Sequence, residues 1–242
     1  MEFFKENHIL SSYHTSPGNR MKLQSILSFC ENIASNHASD CGYGFLDLFN
    51  KGFFWVLHRI SIRFLENELP GYHDNFGVRT RPTDIKNLSA SREFFFEKGG
   101  VDFLIVNSNW VVLDIMERKP VRTKKIEELK VDLKDYRNIV SFHSPGLLED
   151  SYISHVYKIR FSDTDMNAHV NNSKYLEIAT DFIAEKNIKI GLLDEIHIEF
   201  NKETKYGNDL EIRYNKDGLH HNFNYLVKGN IVNKILIIEK GN

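Results

Sequence analysis

The sequence has very few cysteines, and their positions exclude a disulfide between them. Only Cys30 and Cys41 occur in the 242 residues, and both fall in one segment whose pattern predicts a helix. Eleven residues of helical rise would separate them by about 16 Å, far beyond the reach of a disulfide. Both thiols are expected on the core-facing side of this helix, which makes them poor candidates for a catalytic nucleophile.

Long apolar runs and an excess of charge are also absent. No stretch approaches the roughly 18 apolar residues of a membrane-spanning helix, and the start, MEFFKENHIL, lacks the basic and apolar regions of a secretory leader. The lack of an apolar span and of a leader, together with the low cysteine content, predicts a cytoplasmic protein without membrane insertion. The net charge of -2 provides no overall basic field, which argues against nucleic-acid binding.

What the chain does contain is one pattern repeated twice. Apolar residues recur every three or four positions over 20–41, which predicts an amphipathic helix. A glycine-punctuated loop, GYGFLDLFNKG, is expected after it, and four strand-like runs follow, with a Gly99-Gly100 hairpin turn. The second half repeats this order, with a strand-like run at 156–161, a helix at about 171–187 and four further runs. One helix over an antiparallel sheet is α+β, and two copies can cover each other's apolar surface.

A polar cluster, FSDTDMNAHVNN at 161–172, lies between the strand and the helix of the second half. Capping a helix needs only one or two such residues. Asp165, Asn167 and His169 are spaced by two, so an extended segment would project them from one face, next to helix N–H groups that suit an oxyanion. A carboxylate, an amide and an imidazole can together activate water, so the cluster is a candidate reaction site.

Five segments of the chain carry a resemblance to a known family. In order, they are ENIASNHASDCGYG, GFFWVLHRISIRF, SREFFFEKGGVDFLIVNSNWVVLDIMERKPVR, RFSDTDMNAHVNNSKYLE and IEFNKETKYGNDL. Together they resemble the acyl-[acyl-carrier-protein] thioesterases of plants and bacteria. The resemblance implies a double hotdog fold that hydrolyses the thioester of fatty acyl-acyl carrier protein. It implies no metal and no organic cofactor.

The resemblance also indicates four site residues. The family pattern Asp-x-Asn-x-His matches Asp165, Asn167 and His169, and the family's further carboxylate falls on Glu203 in the run EFNKE. By this resemblance Glu203 would be the general base or nucleophile, Asn167 and His169 would position water and the thioester carbonyl, and Asp165 would orient its neighbours or share the carboxylate role. The plant enzymes commonly carry a cysteine after this glutamate, whereas this chain has Thr204, which favours a carboxylate mechanism.

The first half has no such pattern before its helix, where the chain reads YHTSPGNRMKL. It is expected to be catalytically silent and to house much of the acyl chain, which leaves one site per chain. His37 is expected to be a hydrogen-bonded core residue, and the adjacent His220 and His221 are expected in a surface turn. The expected domains are 1–130 and 151–242, joined by a linker at 131–150.

Several alternatives stay open at this point. The chain could act on acyl-coenzyme A thioesters, it could be a hotdog hydratase or dehydratase, or it could bind acyl groups without catalysis. The sequence does not decide the acyl chain length, whether Glu203 attacks directly or activates water, or whether the protein is a monomer or a homodimer.

Overall fold

The computed structural model describes residues 2–123, 140–186 and 190–241. The first half contains a long helix and four long strands, with a short strand before them. Its elements are β1 (Phe4–Ile9), β2 (Thr15–Ser16), β3 (Arg20–Met21), α1 (Leu23–Asp40), α2 (Phe45–Phe49), β4 (Phe53–Phe64), β5 (Asn75–Lys86), β6 (Ser89–Lys98) and β7 (Val101–Asp114).

The second half repeats the order of strand, helix and four strands. Its elements are β8 (Ile153–Lys158), α3 (Asn172–Glu185), β9 (Leu193–Phe200), β10 (Asp209–Asp217), β11 (His220–Val227) and β12 (Asn230–Glu239). The predicted repeat is confirmed, and both helices lie within their predicted ranges.

One ten-stranded sheet contains the long strands of both halves. Its order is β1-β5-β6-β7-β4-β9-β12-β11-β10-β8, and the described neighbours pair antiparallel. The two halves meet where β4 pairs with β9, for example Ile60 opposite Ile198. Read outward from this seam, each half shows the same order of strands, so the sheet is continuous across the repeat. The predicted α+β double hotdog is confirmed.

The main core lies between the sheet and the two helices, which contact each other. Period-two alternation places Ile60 and Ile198 on the inner face of the seam strands, where both are almost fully buried. The α3 face predicted from the sequence, Leu176, Ala179 and Ile183, is also fully buried. Each helix therefore covers the sheet with the apolar stripe that its sequence shows.

The hairpin between β6 and β7 forms where two glycines were expected to turn the chain. Gly99 and Gly100 have φ of +61° and +82°, the left-handed values that a two-residue hairpin of this kind requires and that glycine adopts without a steric cost.

Three sequence expectations are wrong. Cys41 is exposed, because α1 ends at Asp40 and Cys41 lies beyond the helix. His221 is fully buried on β11, where it bonds to the Tyr214 hydroxyl and to Glu239, so it does not lie in a surface turn. The segment after α1, taken as a loop, contains α2.

The chain between the halves is described to residue 123 and again from residue 140, so residues 131–139 of the predicted linker at 131–150 lie outside the described residues. The described part crosses the outer face of the sheet: the Val140 N–H donates to Asn107 (3.0 Å) and the Leu148 N–H to Asn224 (2.8 Å). The division at 1–130 and 151–242 stays a prediction.

Within the described ranges, no helix is long and apolar enough to cross a membrane.

Candidate active site

The polar cluster before α3 forms a tight turn, so the expectation of an extended segment is wrong. The Asp165 N–H donates to the His169 carbonyl (2.7 Å) and the Ala168 N–H to the Asp165 carbonyl (3.0 Å). The Asp165 Oδ1 accepts the backbone N–H groups of Asn167 (2.8 Å) and His169 (3.2 Å). A short carboxylate that bonds to the following backbone is the local reason for this turn.

Two polar residues that flank the turn have structural contacts, and both contact the start of α3, Asp163 through an ion pair with Lys174 (3.1 Å). Asn171 is the N-cap, and its side-chain oxygen accepts the N–H of Ser173 (2.9 Å). The Asp163 carboxylate accepts the N–H of Arg160 (2.8 Å) and the hydroxyl of Tyr157 (2.9 Å). Both side chains therefore have structural partners that fully account for them.

Glu203 reaches the turn because the loop after β9 pairs with it. The Val170 N–H donates to the Thr204 carbonyl (2.8 Å), and the backbones of His169 and Lys205 form an isolated antiparallel β-bridge. This pairing places the Glu203 Oε2 at 3.3 Å from the His169 Nε2. A carboxylate and an imidazole that are far apart in sequence thus form a contact.

A first-half residue joins this pair. The Arg118 guanidinium, in the turn after β7, donates to the Glu203 Oε2 at 2.8 Å. Its Cζ lies 5.2 Å from the centre of the Phe54 ring, within the range of a cation–π contact.

A second first-half residue approaches the turn from α1. The Asn172 side-chain amide donates to the Glu31 Oε1 at 2.9 Å. Burial raises the pKa of the Glu31 carboxyl and the nearby Asp165 carboxylate adds to the rise, while the Asn172 bond opposes it. Glu31 therefore connects α1 to the start of α3 beside the candidate site.

The four predicted residues line one cavity of about 680 Å³. The second half contributes most of its polar wall, including Asp165, Asn167, His169 and Glu203. The first half contributes a mostly apolar wall, which includes Tyr43, Phe49, Phe54, Trp55, Leu57, Ile85, Ala90 and Trp110. The indole N–H groups of the two tryptophans are paired within the protein, since Trp55 donates to the Tyr43 carbonyl (3.1 Å) and Trp110 to Ser108 (2.7 Å). An apolar chain can therefore lie against these two rings without leaving either indole donor unpaired.

His37 and Thr204 have structural contacts. His37 is buried on α1 as expected, where its Nδ1 accepts a hydrogen bond from the Arg92 Nη1 (2.9 Å). Thr204, at the position of the expected family cysteine, hydrogen-bonds to the hydroxyl of Tyr175.

A separate polar cluster lies on the outer face of the seam. His143, Glu195 and His197 have ligand atoms within 4.8 Å of one another. However, Glu195 forms an ion pair with Arg63, and the His197 Nδ1 bonds to Ser61 (3.1 Å). A cation at this cluster would have to compete with a guanidinium that already neutralises the carboxylate.

Sequence reasoning did not find Arg118 or Glu31. Arg118 lies in the charged run MERKP, which is typical of a solvated turn, and Glu31 is a single charge beside the apolar stripe of α1. Both residues lie in segments that carry the family resemblance, but nothing in the pattern of either segment indicates that its charged side chain lies at the cavity.

Two protein-family models match the chain. The acyl-ACP thioesterase N-terminal domain matches residues 1–128, and the acyl-ACP thioesterase C-terminal domain matches residues 148–238. Among curated proteins, a palmitoyl-acyl carrier protein thioesterase of Arabidopsis thaliana is 25% identical over 194 residues, which are 72% of this chain and 45% of that protein. Oleoyl-acyl carrier protein thioesterase 2 of the same plant is 22% identical over 225 residues, 83% of this chain and 59% of that protein. The chain thus spans about half the length of these relatives.

Solved structures share the fold over nearly the whole chain. An acyl-ACP thioesterase from Bacteroides thetaiotaomicron has a TM-score of 0.86 at 20% identity, over 98% of this chain and 97% of that one. A 12:0-ACP thioesterase from Umbellularia californica has a TM-score of 0.81 at 17% identity, over 99% and 98%. The fold is therefore the same, and with family models matching both halves, the chain belongs to the acyl-ACP thioesterase family.

Proposed function

We propose that this protein hydrolyses the thioester of fatty acyl-acyl carrier protein and releases the free fatty acid. The observation that carries the proposal is the contact between Glu203 and His169, 3.3 Å apart, at a cavity whose other wall is mostly apolar. A carboxylate and an imidazole can activate water, and the apolar wall can hold an acyl chain while excluding bulk water from the reaction.

In this proposal Glu203 takes the proton of a water molecule, or attacks the carbonyl carbon itself. In either route the carbonyl oxygen becomes negative, and the carbonyl re-forms as the carbon–sulfur bond breaks. Where water attacks, its oxygen bonds to the carbonyl carbon, and the proton that Glu203 took passes to the leaving sulfur. Where Glu203 attacks, water then hydrolyses the acyl–glutamate anhydride, which regenerates the carboxylate and supplies the proton of the thiol. His169 and Asn167 position the water and the carbonyl. Asp165 orients Asn167 and His169, which is supported by the bonds that its Oδ1 accepts from their backbone N–H groups. Water supplies the atoms that the broken thioester requires, so no cofactor is needed.

Acyl carrier protein is the proposed carrier of the substrate. Lys202 lines the cavity and Lys205 is exposed beside it, so basic side chains are available near the site for an acidic partner. A cytoplasmic location and the oligomeric state stay predictions.

The direct test is to mix the purified protein with a series of acyl-carrier and acyl-coenzyme A thioesters of varied chain length. We expect the release of a free thiol together with an equal amount of free fatty acid, measured by a thiol reagent and by mass spectrometry. A hydratase or dehydratase would change the acyl group and keep the thioester, and a binding protein would release neither product. Either result would contradict the proposal.

The residue-level test is Glu203→Gln, which keeps shape and hydrogen bonding but removes the anionic oxygen. We expect kcat to fall by roughly two or more orders of magnitude, the scale of losing a general base. Glu117→Gln is the matched control, because Glu117 is an exposed carboxylate in the nearby turn whose partner is Lys119 (3.7 Å). It should keep wild-type turnover.

Combined variants test whether the residues act together. His169→Ala and Asn167→Ala should each lower kcat, and adding either change to Glu203→Gln should cost much less than the product of the separate losses. A folded Glu203→Gln protein with near wild-type turnover would remove Glu203 from the proposed mechanism.

A further inference from the structure

Arg118 is the first-half side chain that touches the proposed catalytic carboxylate, and its backbone is held firmly. Its φ of +55° is left-handed, a conformation that non-glycine residues seldom adopt unless the surrounding bonds impose it. The Arg118 N–H donates to the Asp114 carbonyl (2.9 Å), and the Asp114 Oδ1 accepts the N–H groups of Met116 (2.8 Å) and Glu117 (2.9 Å). The turn thus presents this side chain from a fixed position.

The contacts of Glu203 are divided unequally between its two oxygens. Oε2 accepts from the Arg118 Nη2 at 2.8 Å and lies 3.3 Å from the His169 Nε2. Oε1 makes no hydrogen bond to any residue of the described ranges. One oxygen is therefore anchored, and the other remains available to a water molecule or to a carbonyl carbon.

We propose that Arg118 is a positioning residue that fixes the Glu203 carboxylate so that Oε1 is the reacting oxygen. This inference rests on the proposed function. The terminal torsion of a glutamate is broad and roughly two-fold, so a single contact to His169 leaves the two oxygens free to exchange. A guanidinium that is itself held against Phe54 and by the turn removes that freedom. The first half is then not silent, because it completes the site of the second.

An alternative role for Arg118 is to bind an acidic carrier protein, since half of its side chain is exposed. The two roles predict different kinetics. Loss of a carrier contact should raise KM for acyl-carrier substrates alone. Loss of positioning should lower kcat for every acyl thioester, including a small acyl-pantetheine thioester that has no carrier protein.

The experiment compares Arg118→Ala, Arg118→Lys and Lys119→Ala with wild type on acyl-carrier protein and on the acyl-pantetheine thioester. We expect Arg118→Ala to lower kcat about 10- to 100-fold on both substrates, the scale of a misplaced reacting group. Arg118→Lys should recover part of the loss, because it keeps the cation but not the forked geometry. Lys119→Ala removes a neighbouring exposed cation from the same turn and should behave as wild type.

Two further measurements separate positioning from a structural effect. Added guanidinium ion, at concentrations that leave wild type unaffected, should restore part of the kcat of Arg118→Ala. In the Glu203→Gln background, Arg118→Ala should cause little additional loss, because the group that it positions is already inactive. Circular dichroism establishes that each variant is folded, and Arg118→Gln replaces Arg118→Ala if the latter is not.

The proposal is overturned if Arg118→Ala matches wild type on both substrates, or if only KM for the acyl-carrier protein rises. In both cases wild type still hydrolyses thioesters, so the proposed function stands without this role for Arg118. If wild type releases no thiol from any substrate, the proposed function fails, and the positioning role fails with it.

Discussion

The stability of the protein should depend on the protonation of His37, which is buried on α1 in the first half. Burial lowers the pKa of His37 from 6.5 to about 4, and the neighbouring Arg92 cation adds to this effect while Asp40 opposes it. The Nδ1 accepts a hydrogen bond from Arg92 and the ring stacks on Phe4, with centroids 5.1 Å apart. The folded state therefore holds His37 neutral.

The sign and size of the effect follow from the two pKa values. Between pH 6.5 and about 4 the unfolded chain binds a proton at His37 that the folded chain does not, so folding stability is lost as the pH falls through this window. From pH 7 to pH 5 the ideal loss is about 2 kcal/mol. Allowing for partial screening of the ring by water, we expect about 1–2 kcal/mol.

The assay compares wild type with His37→Gln by urea denaturation at pH 7 and pH 5. Glutamine can still accept a hydrogen bond from Arg92, but it does not titrate. The difference in unfolding free energy between the two proteins should therefore change by about 1–2 kcal/mol between the two pH values, in favour of the variant at pH 5. The comparison cancels the pH dependence that the other groups contribute equally to both proteins.

Parallel pH profiles for the two proteins would refute this reasoning. They would mean that His37 titrates alike in the folded and unfolded chains, and that the contact with Arg92 tolerates a proton. An altered urea m-value in the variant would indicate a change in the unfolded state or in cooperativity instead.

Two further predictions concern the surface and the thiols. Raising salt should lower kcat/KM for acyl-carrier protein, because exposed charges such as Lys205 are screened. A basic docking surface would be contradicted if kcat/KM did not change with salt for either the carrier-protein or the coenzyme A substrates. Native protein should react with one equivalent of a thiol reagent, since Cys41 is exposed whereas burial raises the pKa of the Cys30 thiol well above its usual range. A second equivalent should appear only on unfolding, and rapid labelling of both thiols would contradict this assignment.

The sequence determined the repeat and its elements. The apolar stripes of α1 and α3 and the alternation along the strands depend on local periodicity, which the chain carries without help from distant residues. The Gly99-Gly100 turn is likewise local, because its positive φ values favour glycine. The strand β1 was missed because its exposure alternates in a short polar stretch and it is stabilised by pairing with β5, far along the chain.

The candidate site also contains residues that local sequence reveals and a residue that it does not. Asp165, Asn167 and His169 form a recognisable pattern because they lie in one turn, although the sequence wrongly suggested an extended segment. The bonds from Asp165 to the following backbone decide that turn. Glu203 was found only through the resemblance to a family, since a single glutamate at the end of a strand has no signal of its own.

The tertiary structure alone decided what comes from the other half of the chain. Arg118 reaches Glu203 across 85 positions of sequence, and Glu31 reaches Asn172 across 141. Both contacts exist because β4 pairs with β9 and brings the two halves into one sheet. Local sequence cannot encode such contacts: each of these charged residues has the composition of a solvated position, and only the seam between the halves places it beside its partner.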